Sequence, residues 1–337
     1  MPKMKIAVIA KPGADFELHE REIPQPAAGQ VRVRVQACGI CLGDDLVKEG
    51  HWPGLTYPRS PGHEIAGVIA EVGTGVTAWR QGQRVGVGWH GGHDNTCLYC
   101  RGGDFANCAQ QKITGISYDG GYGEYMIAPV EALAQMPDTL DAAEAAPLMC
   151  AGITTYNSLR YSGAMPGDLV AVQGIGGLGH LGVQFASKFG YRVVAISRGK
   201  KSESLAQKLG AQLYIDSSLT KPAVELQKLG GAKVILATAP SGKAMTDLLP
   251  GLAPRGTLLV VGAGPDPVEV STAVMINGSK RIQGWASGIP ADSEETLRFS
   301  EMAGVHAIIE KFPLDQVQQA YARMKSGKAQ FRVVLTM

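Results

Sequence analysis

Three cysteines fall between positions 97 and 108, in the run Cys97-Leu-Tyr-Cys100 followed eight residues later by Cys108. A compact loop can turn thiolates at this spacing onto one tetrahedral zinc ion. Three sulfurs leave such a site one ligand short. One further three-residue step toward the N-terminus reaches Asp94, with His93 beside it, and zinc accepts carboxylate oxygen or imidazole nitrogen in that place. A closed four-ligand shell leaves no position for substrate. The role expected of Asp94, or His93, with Cys97, Cys100 and Cys108 is therefore to hold a structural zinc.

A second constellation is Gly174-Ile-Gly176-Gly177-Leu178-Gly179, a G-x-G-x-x-G flanked by the apolar run Leu169–Gln173 and a helical pattern from Leu178 to Phe189. Strand, glycine loop and helix in that order suit a dinucleotide: Gly174 allows the tight turn, Gly176 admits the pyrophosphate, and Gly179 lets helix and strand pack closely. The helix N-terminus adds free N–H groups and a favourable dipole for the phosphates. The end of the next strand discriminates between dinucleotides, because an acid there binds the ribose hydroxyls of NAD whereas a cation receives the extra phosphate of NADP. Here it reads Ile196-Ser197-Arg198-Gly199-Lys200-Lys201, with no acid before Glu203. NADP is the expected cofactor over NAD, held by Ser197, Arg198 and Lys201, with Arg198 as the main discriminator.

The remaining residues with metal-binding chemistry are scattered: Cys41, His63 with Glu64, and Cys150. Their spacing says little. Taken singly, Cys150 reads equally as a buried thiol, Cys38 and Cys41 as small core residues, and His63 as a loop histidine.

The elements that must position these groups differ along the chain. From Met4 to about Val87 the pattern is strand-like: Val31, Val33 and Val35 alternate with Arg32, Arg34 and Gln36, and Pro and Gly break the region into short strands. A small antiparallel, barrel-like β domain is expected there. After Pro166-Gly167 the rhythm becomes strand then helix, with strands expected at Leu169–Gln173, Arg192–Ile196, Leu213–Ile215, Val234–Ala237 and Leu258–Val261. One helix between them carries a Ser204-x-x-Gln207 capping pattern and closes at Gly210. Alternating β and α units predict a parallel, doubly wound sheet.

Bulk properties agree with two domains. The 337 residues exceed what one core organises, and 45% hydrophobic with 18% charged composition excludes disorder. Glycine, at 44 residues, is about twice its average usage of roughly 7%. The net charge of +2, with Lys and Arg dispersed, gives no electrostatic stripe for nucleic acid or an anionic membrane. No apolar run is long enough to cross a bilayer and no signal layout opens the chain, so a cytoplasmic protein is expected.

Motif order resolves the scattered residues. Gly39-Ile-Cys41-Leu-Gly-Asp44, Gly62-His63-Glu64, the cysteine cluster, Cys150-Ala-Gly152-Ile-Thr-Thr-Tyr156, the glycine loop and the ending Lys328-Ala-Gln-Phe-Arg332-Val-Val follow one another as in the zinc-containing medium-chain alcohol dehydrogenases, which this sequence resembles along essentially its whole length. The resemblance implies a GroES-like catalytic domain, residues 1–150 completed by 286–337, around a Rossmann domain at 151–285. It implies Cys41, His63 and Cys150 as ligands of a catalytic zinc, Glu64 as a carboxylate able to approach it, and Asp44 as the partner orienting His63. Two thiolates and an imidazole leave one position open for the oxygen of a primary or aromatic alcohol or its aldehyde. Thr238, Val261 and Arg332 join the expected cofactor site, Trp52 and Trp89 the substrate pocket, and a homodimer or homotetramer is implied. Trp285 is a third aromatic that could shape the pocket.

Two positions depart from the family pattern. Gly43 stands where many relatives carry the Ser or Thr hydroxyl of a proton relay, which leaves water or a neighbour such as His51 to replace it; Asp94 stands at the first structural cysteine. A zinc-free quinone or enone reductase using NADPH, or a non-catalytic zinc- or nucleotide-binding module, shares part of this pattern.

Overall fold

The computed structural model describes residues 2–337. The chain divides into two compact units, one running up to Ile153 and resuming at Ser287–Met337, the other Thr154–Ala286.

The first unit is built from β1 (Lys3–Ile9), β2 (Phe16–Glu22), β3 (Gln30–Ile40), β4 (Ile65–Val72), β5 (Arg84–Val87), β6 (His90–Gly92), β7 (Lys112–Ile113), β8 (Tyr125–Pro129) and β9 (Leu133–Gln135). Strand β3 is the spine. Val31, Val33 and Val35 are buried while Arg34 is exposed, the period-two pattern read from the sequence. Burying each valine contributes about 1.5–3 kcal/mol. Against β4 the pairing shifts register at Arg32/Val33 and again at Val35/Ala37, the kinks expected of β-bulges. The first half of β3 also pairs with β8, at Gln30–Arg34, and its second half lies beside the chain's final strand.

The second unit holds β10 (Leu169–Gln173), β11 (Arg192–Ser197), β12 (Leu213–Asp216), β13 (Ala232–Ala237), β14 (Leu252–Val260) and β15 (Arg281–Gly284). All pair in parallel, in the order β12-β11-β10-β13-β14-β15. Every residue of β10 is buried, as a central parallel strand requires. The order reverses between β10 and β13, the crevice where doubly wound sheets take their ligands.

Three expectations need correction. The Ser204 capping pattern does not cap: the helix spans Glu203–Lys208 behind Ser202, because the turn from Lys200 already bonds into it, Glu203 N–H to Lys200 C=O at 3.1 Å and Ala206 N–H to Ser202 C=O at 2.9 Å. Strand β14 begins well before Leu258, at Leu252, and passes through the half-buried Ala253 and the exposed Pro254 and Arg255. Strand β15 was not expected at all; its four residues are exposed and carry no apolar run.

The chain returns to the first unit as β16 (Ile309–Pro313) and β17 (Arg332–Thr336), which pair in parallel; β17 then runs antiparallel to β3 with Val333 opposite Ile40. Among the described residues no helix is long and apolar enough to cross a membrane.

Candidate metal centres and nucleotide loop

Strand ends assemble the first cluster. Cys41 follows the end of β3, and His63 and Glu64 precede β4, whose Ile65 pairs with Cys38. Cys150 arrives on the turn Ala146–Met149. One ligand atom each from Cys41, His63, Glu64 and Cys150 lies within 4.8 Å of the others, with the two sulfurs 3.9 Å apart. His63 and Glu64 are buried, and Cys41 and Cys150 half-buried.

Asp44 organises this cluster. Its carboxylate accepts from Cys41 N–H (2.9 Å), Gly62 N–H (3.2 Å), His63 Nδ1 (3.1 Å) and Tyr122 Oη (2.9 Å). Holding the proton on Nδ1 leaves the Nε2 lone pair of His63 facing the cluster, and that buried atom has no hydrogen-bond partner. The Arg332 guanidinium donates to Glu64 and, at 3.3 Å, to the Ile40 carbonyl. Burial pushes the Glu64 carboxyl up to about 7 even though Arg332 opposes the shift. The Cys150 thiol, bonding to Cys41, holds Cys41 well below the usual thiol range against the cost of its burial, with His63 adding to the effect. An orphaned imidazole nitrogen, one readily ionised thiol beside a second, and a carboxylate form a donor set that fits zinc.

Tyr122 went unnoticed in the sequence, and Gly39 stood in a motif without a role of its own. A Cβ on Gly39 would sit 2.0 Å from Glu64 Oε2, so the missing side chain is what admits Glu64. The glycines flanking Tyr122 were the available signal, and a weak one.

Gly43 has a steric explanation. A Cβ there would lie 2.9 Å from His63 Cε1 and 3.2 Å from Trp89 Cζ3, so the relay hydroxyl of other relatives has no room. Trp89 stands edge-on to His63, centroids 4.8 Å apart at 87°, and against Trp52 at 6.1 Å and 74°. The structure thus brings Trp89 to the cluster and Trp52 against Trp89. His51 is exposed and shows no side-chain partner among the described residues. Trp285 belongs to the other unit, stacked on Tyr161.

The second cluster lies in one loop. Ligand atoms of Asp94, Cys97, Cys100 and Cys108 also fall within 4.8 Å of one another. Asp94 Oδ1 accepts from Cys97 N–H (2.8 Å) and Thr96 N–H (2.7 Å), and these bonds hold the carboxyl well below its usual range. His93 instead bonds His90 Nε2 at 2.9 Å and stacks on Phe105, so Asp94 is the neighbour of the three thiols. Burial pushes the Cys100 thiol up to about 12, with Cys108 and Cys97 adding to it. Four such donors ionise together only around a cation, which makes this set, too, fit zinc.

In the second unit the glycine loop joins β10 to the helix Gly179–Lys188. Gly174 takes φ +88°, and a Cβ on Gly179 would meet the Gly174 carbonyl at 1.7 Å. A Cβ on Gly176 would meet nothing within 4 Å, which leaves that side of the loop open. Gly177 and Leu178 complete the turn into the helix. Thr238 Oγ1 lies 2.9 Å from both Gln173 C=O and Gly174 C=O, and Val261 N–H bonds Ala237 C=O at 3.1 Å, so both residues brace the crevice. Ser197 ends β11, followed by the exposed Arg198 and Lys201; Arg332, expected at the cofactor, is buried in the other unit against Glu64.

A GroES-like antiparallel domain beside a Rossmann sheet defines the medium-chain dehydrogenase/reductase architecture. The family model for the alcohol dehydrogenase GroES-like domain matches residues 27–138, and that for the zinc-binding dehydrogenase matches residues 177–321. Alcohol dehydrogenase patD of Penicillium expansum is 44% identical over 99% of this chain and 97% of its own, and an alcohol dehydrogenase of Geobacillus stearothermophilus is 37% identical over 98% and 99%. Among solved structures, a cinnamyl alcohol dehydrogenase from Sorghum bicolor superposes with TM-score 0.89 at 32% identity, covering 99% of this chain and 98% of that one. A CAD from Helicobacter pylori complexed with NADP(H) gives TM-score 0.88 at 28% identity, with the same coverage. The chain belongs to the zinc-type medium-chain dehydrogenase/reductase family.

Proposed function

We propose that this chain is a zinc-dependent alcohol dehydrogenase and aldehyde reductase that uses NADP(H) on primary or aromatic alcohols. The observation that carries the reading is the cluster of Cys41, His63, Glu64 and Cys150 with its unpartnered His63 Nε2. When bound there, zinc supplies the Lewis acidity that eases loss of an alcohol proton and polarises a carbonyl, and the dinucleotide supplies or accepts hydride.

The chain's own residues do the positioning. Asp44 fixes the tautomer of His63, and Cys41, His63 and Cys150 are the ligands of the catalytic zinc. Arg332 pairs Glu64, opposes the rise that burial imposes on that carboxyl, and keeps it beside the cluster. Trp89, backed by Trp52, offers an apolar wall next to His63, which suits the hydrocarbon part of a small alcohol and sheds water. Asp94, Cys97, Cys100 and Cys108 hold a second, structural zinc. The cysteine-and-histidine cluster has no use in a zinc-free reductase, and a relative named as a cinnamyl alcohol dehydrogenase and another complexed with NADP(H) favour this substrate class and cofactor. Ser197, Arg198 and Lys201 supply donors and cations where NADP carries its extra phosphate.

Metal content and turnover test the reading together. Purified protein is expected to hold about two zinc ions per chain and to oxidise aliphatic, benzylic or cinnamyl alcohols more efficiently with NADP than with NAD. In Cys41→Ala, zinc should fall to about one per chain and activity by about three orders of magnitude. A variant that keeps full alcohol oxidation would overturn the assignment.

A further inference from the structure

The turn after β11 is held from both sides by β12. Strands β11 and β12 pair in parallel with Ala195 opposite Tyr214 and Ser197 opposite Asp216, so both β12 side chains stand beside the segment Ser197–Lys200. Gly199 takes φ +71°, a backbone region a side chain would strain. Asp216 Oδ1 accepts from Gly199 N–H at 2.8 Å, and Tyr214 Oη donates to Gly199 C=O at 2.5 Å. The same Oδ1 also accepts from Ser218 N–H (2.9 Å) and Ser218 Oγ (2.6 Å). One glycine residue is thus fixed at both its N–H and its C=O, while Arg198 beside it has no partner among the described residues. An uncommitted guanidinium on an immobilised turn is preorganised for an anion, because the ordering is completed before binding.

We infer that Asp216 and Tyr214 are positioning residues for NADP recognition: they clamp Gly199 so that Ser197, Arg198 and Lys201 meet the 2′-phosphate in a fixed arrangement. The inference rests on the NADP reading above. Asp216 is an acid at a strand end next to a cofactor turn, a place where an acid could instead bind the ribose hydroxyls of NAD. Its Oδ1 already receives three donors and Lys200 stands near its charge, so its bonds serve the turn.

Binding of NADPH and NADH, followed by calorimetry on zinc-loaded protein, tests this without reliance on turnover. In Asp216→Ala the Kd for NADPH is expected to rise about tenfold, the scale of one lost hydrogen bond to a charged group. The Kd for NADH and kcat at saturating NADP should stay within about twofold. Asp216→Asn keeps an Oδ1 acceptor for Gly199 N–H and should bind NADPH as the parent does. Tyr214→Phe should weaken NADPH in the same direction by a smaller factor, and it carries the test if Asp216→Ala does not fold. Amide exchange at Gly199 should quicken in Asp216→Ala. Equal losses for both dinucleotides, an Asp216→Asn as impaired as Asp216→Ala, or unchanged NADPH affinity in Asp216→Ala and Tyr214→Phe would overturn the clamp. If the parent protein binds NADH as tightly as NADPH, the NADP reading falls and takes the clamp with it. A parent preference for NADPH that these variants leave intact removes the clamp alone.

Discussion

The two four-donor clusters use similar atoms and are assembled in opposite ways. Asp94, Cys97, Cys100 and Cys108 come from one loop, and the partners of Asp94 are its immediate neighbours Thr96 and Cys97. Cys41, His63, Glu64 and Cys150 arrive from separate strand ends, and their supports come from other parts of the chain: Asp44, itself bonded by Tyr122, holds His63, and Arg332 holds Glu64. A loop cluster depends on its metal to stay folded, whereas a cluster set on strand ends is held by the sheet whether or not metal is bound. On the function proposed above, the first serves architecture and the second chemistry.

The sharpest way to break that contrast is Asp94→Ala. It removes the one hard donor of the loop cluster and leaves three thiols, of which Cys100 resists ionisation. Zinc content should drop by about one per chain and unfolding stability by roughly 3 kcal/mol, read from thermal denaturation, with turnover per remaining zinc nearly unchanged. Loss of both metals in this variant would show that the clusters are not independent. Asp94→Cys should do the reverse and retain loop zinc longer against a chelator.

A smaller effect is expected from His90, next to the loop. Burial pushes its imidazole down to about 4, and neighbouring His93 adds to the shift. In the unfolded chain His90 titrates near its ordinary value of about 6.5. Between those two values the unfolded state binds the extra proton, so the contribution is fully present above pH 6.5 and is lost as pH falls toward 4. The loss should reach about 2–3 kcal/mol across that window. Thermal midpoints measured from pH 7 to pH 4 should fall less steeply in His90→Gln than in the parent, and identical slopes would remove His90 as the cause.

What could be seen in the sequence followed range. Val31, Val33 and Val35 and the glycine loop were legible because their signals lie within a few residues and reflect local geometry. The loop cluster was legible down to its ligand types, with only His93 against Asp94 left open, a choice made by the bond from His93 to His90. Cys41, His63 and Cys150 were legible only through the order of whole motifs, since no spacing law connects strand ends. Tyr122, Tyr214 and Asp216 were not legible, nor was the role of Gly39 within its motif, because each acts through a contact that is not local in sequence. Strand β15 was missed because an exposed parallel strand of four residues carries no hydrophobic run.

The subtlest test concerns Gly43, which separates this chain from relatives that carry a hydroxyl there. If the glycine were only a lost relay, Gly43→Ser would restore a proton path and raise turnover. The geometry says otherwise: the new Cβ meets His63 Cε1 at 2.9 Å and the ring of Trp89 at 3.2 Å, and neither ring is the loose end of a flexible chain. His63 is also tied through Nδ1 to Asp44, so relief must come from Trp89 moving off the cluster or from His63 tilting its free nitrogen away. Either shift works against the site, and kcat/KM in Gly43→Ser should fall about tenfold, a change of roughly 1.4 kcal/mol. Pairing the change with Trp89→Leu, which removes the opposing ring, should recover part of that loss. A single Gly43→Ser variant faster than the parent would show that the strand-end cluster yields more readily than its packing implies.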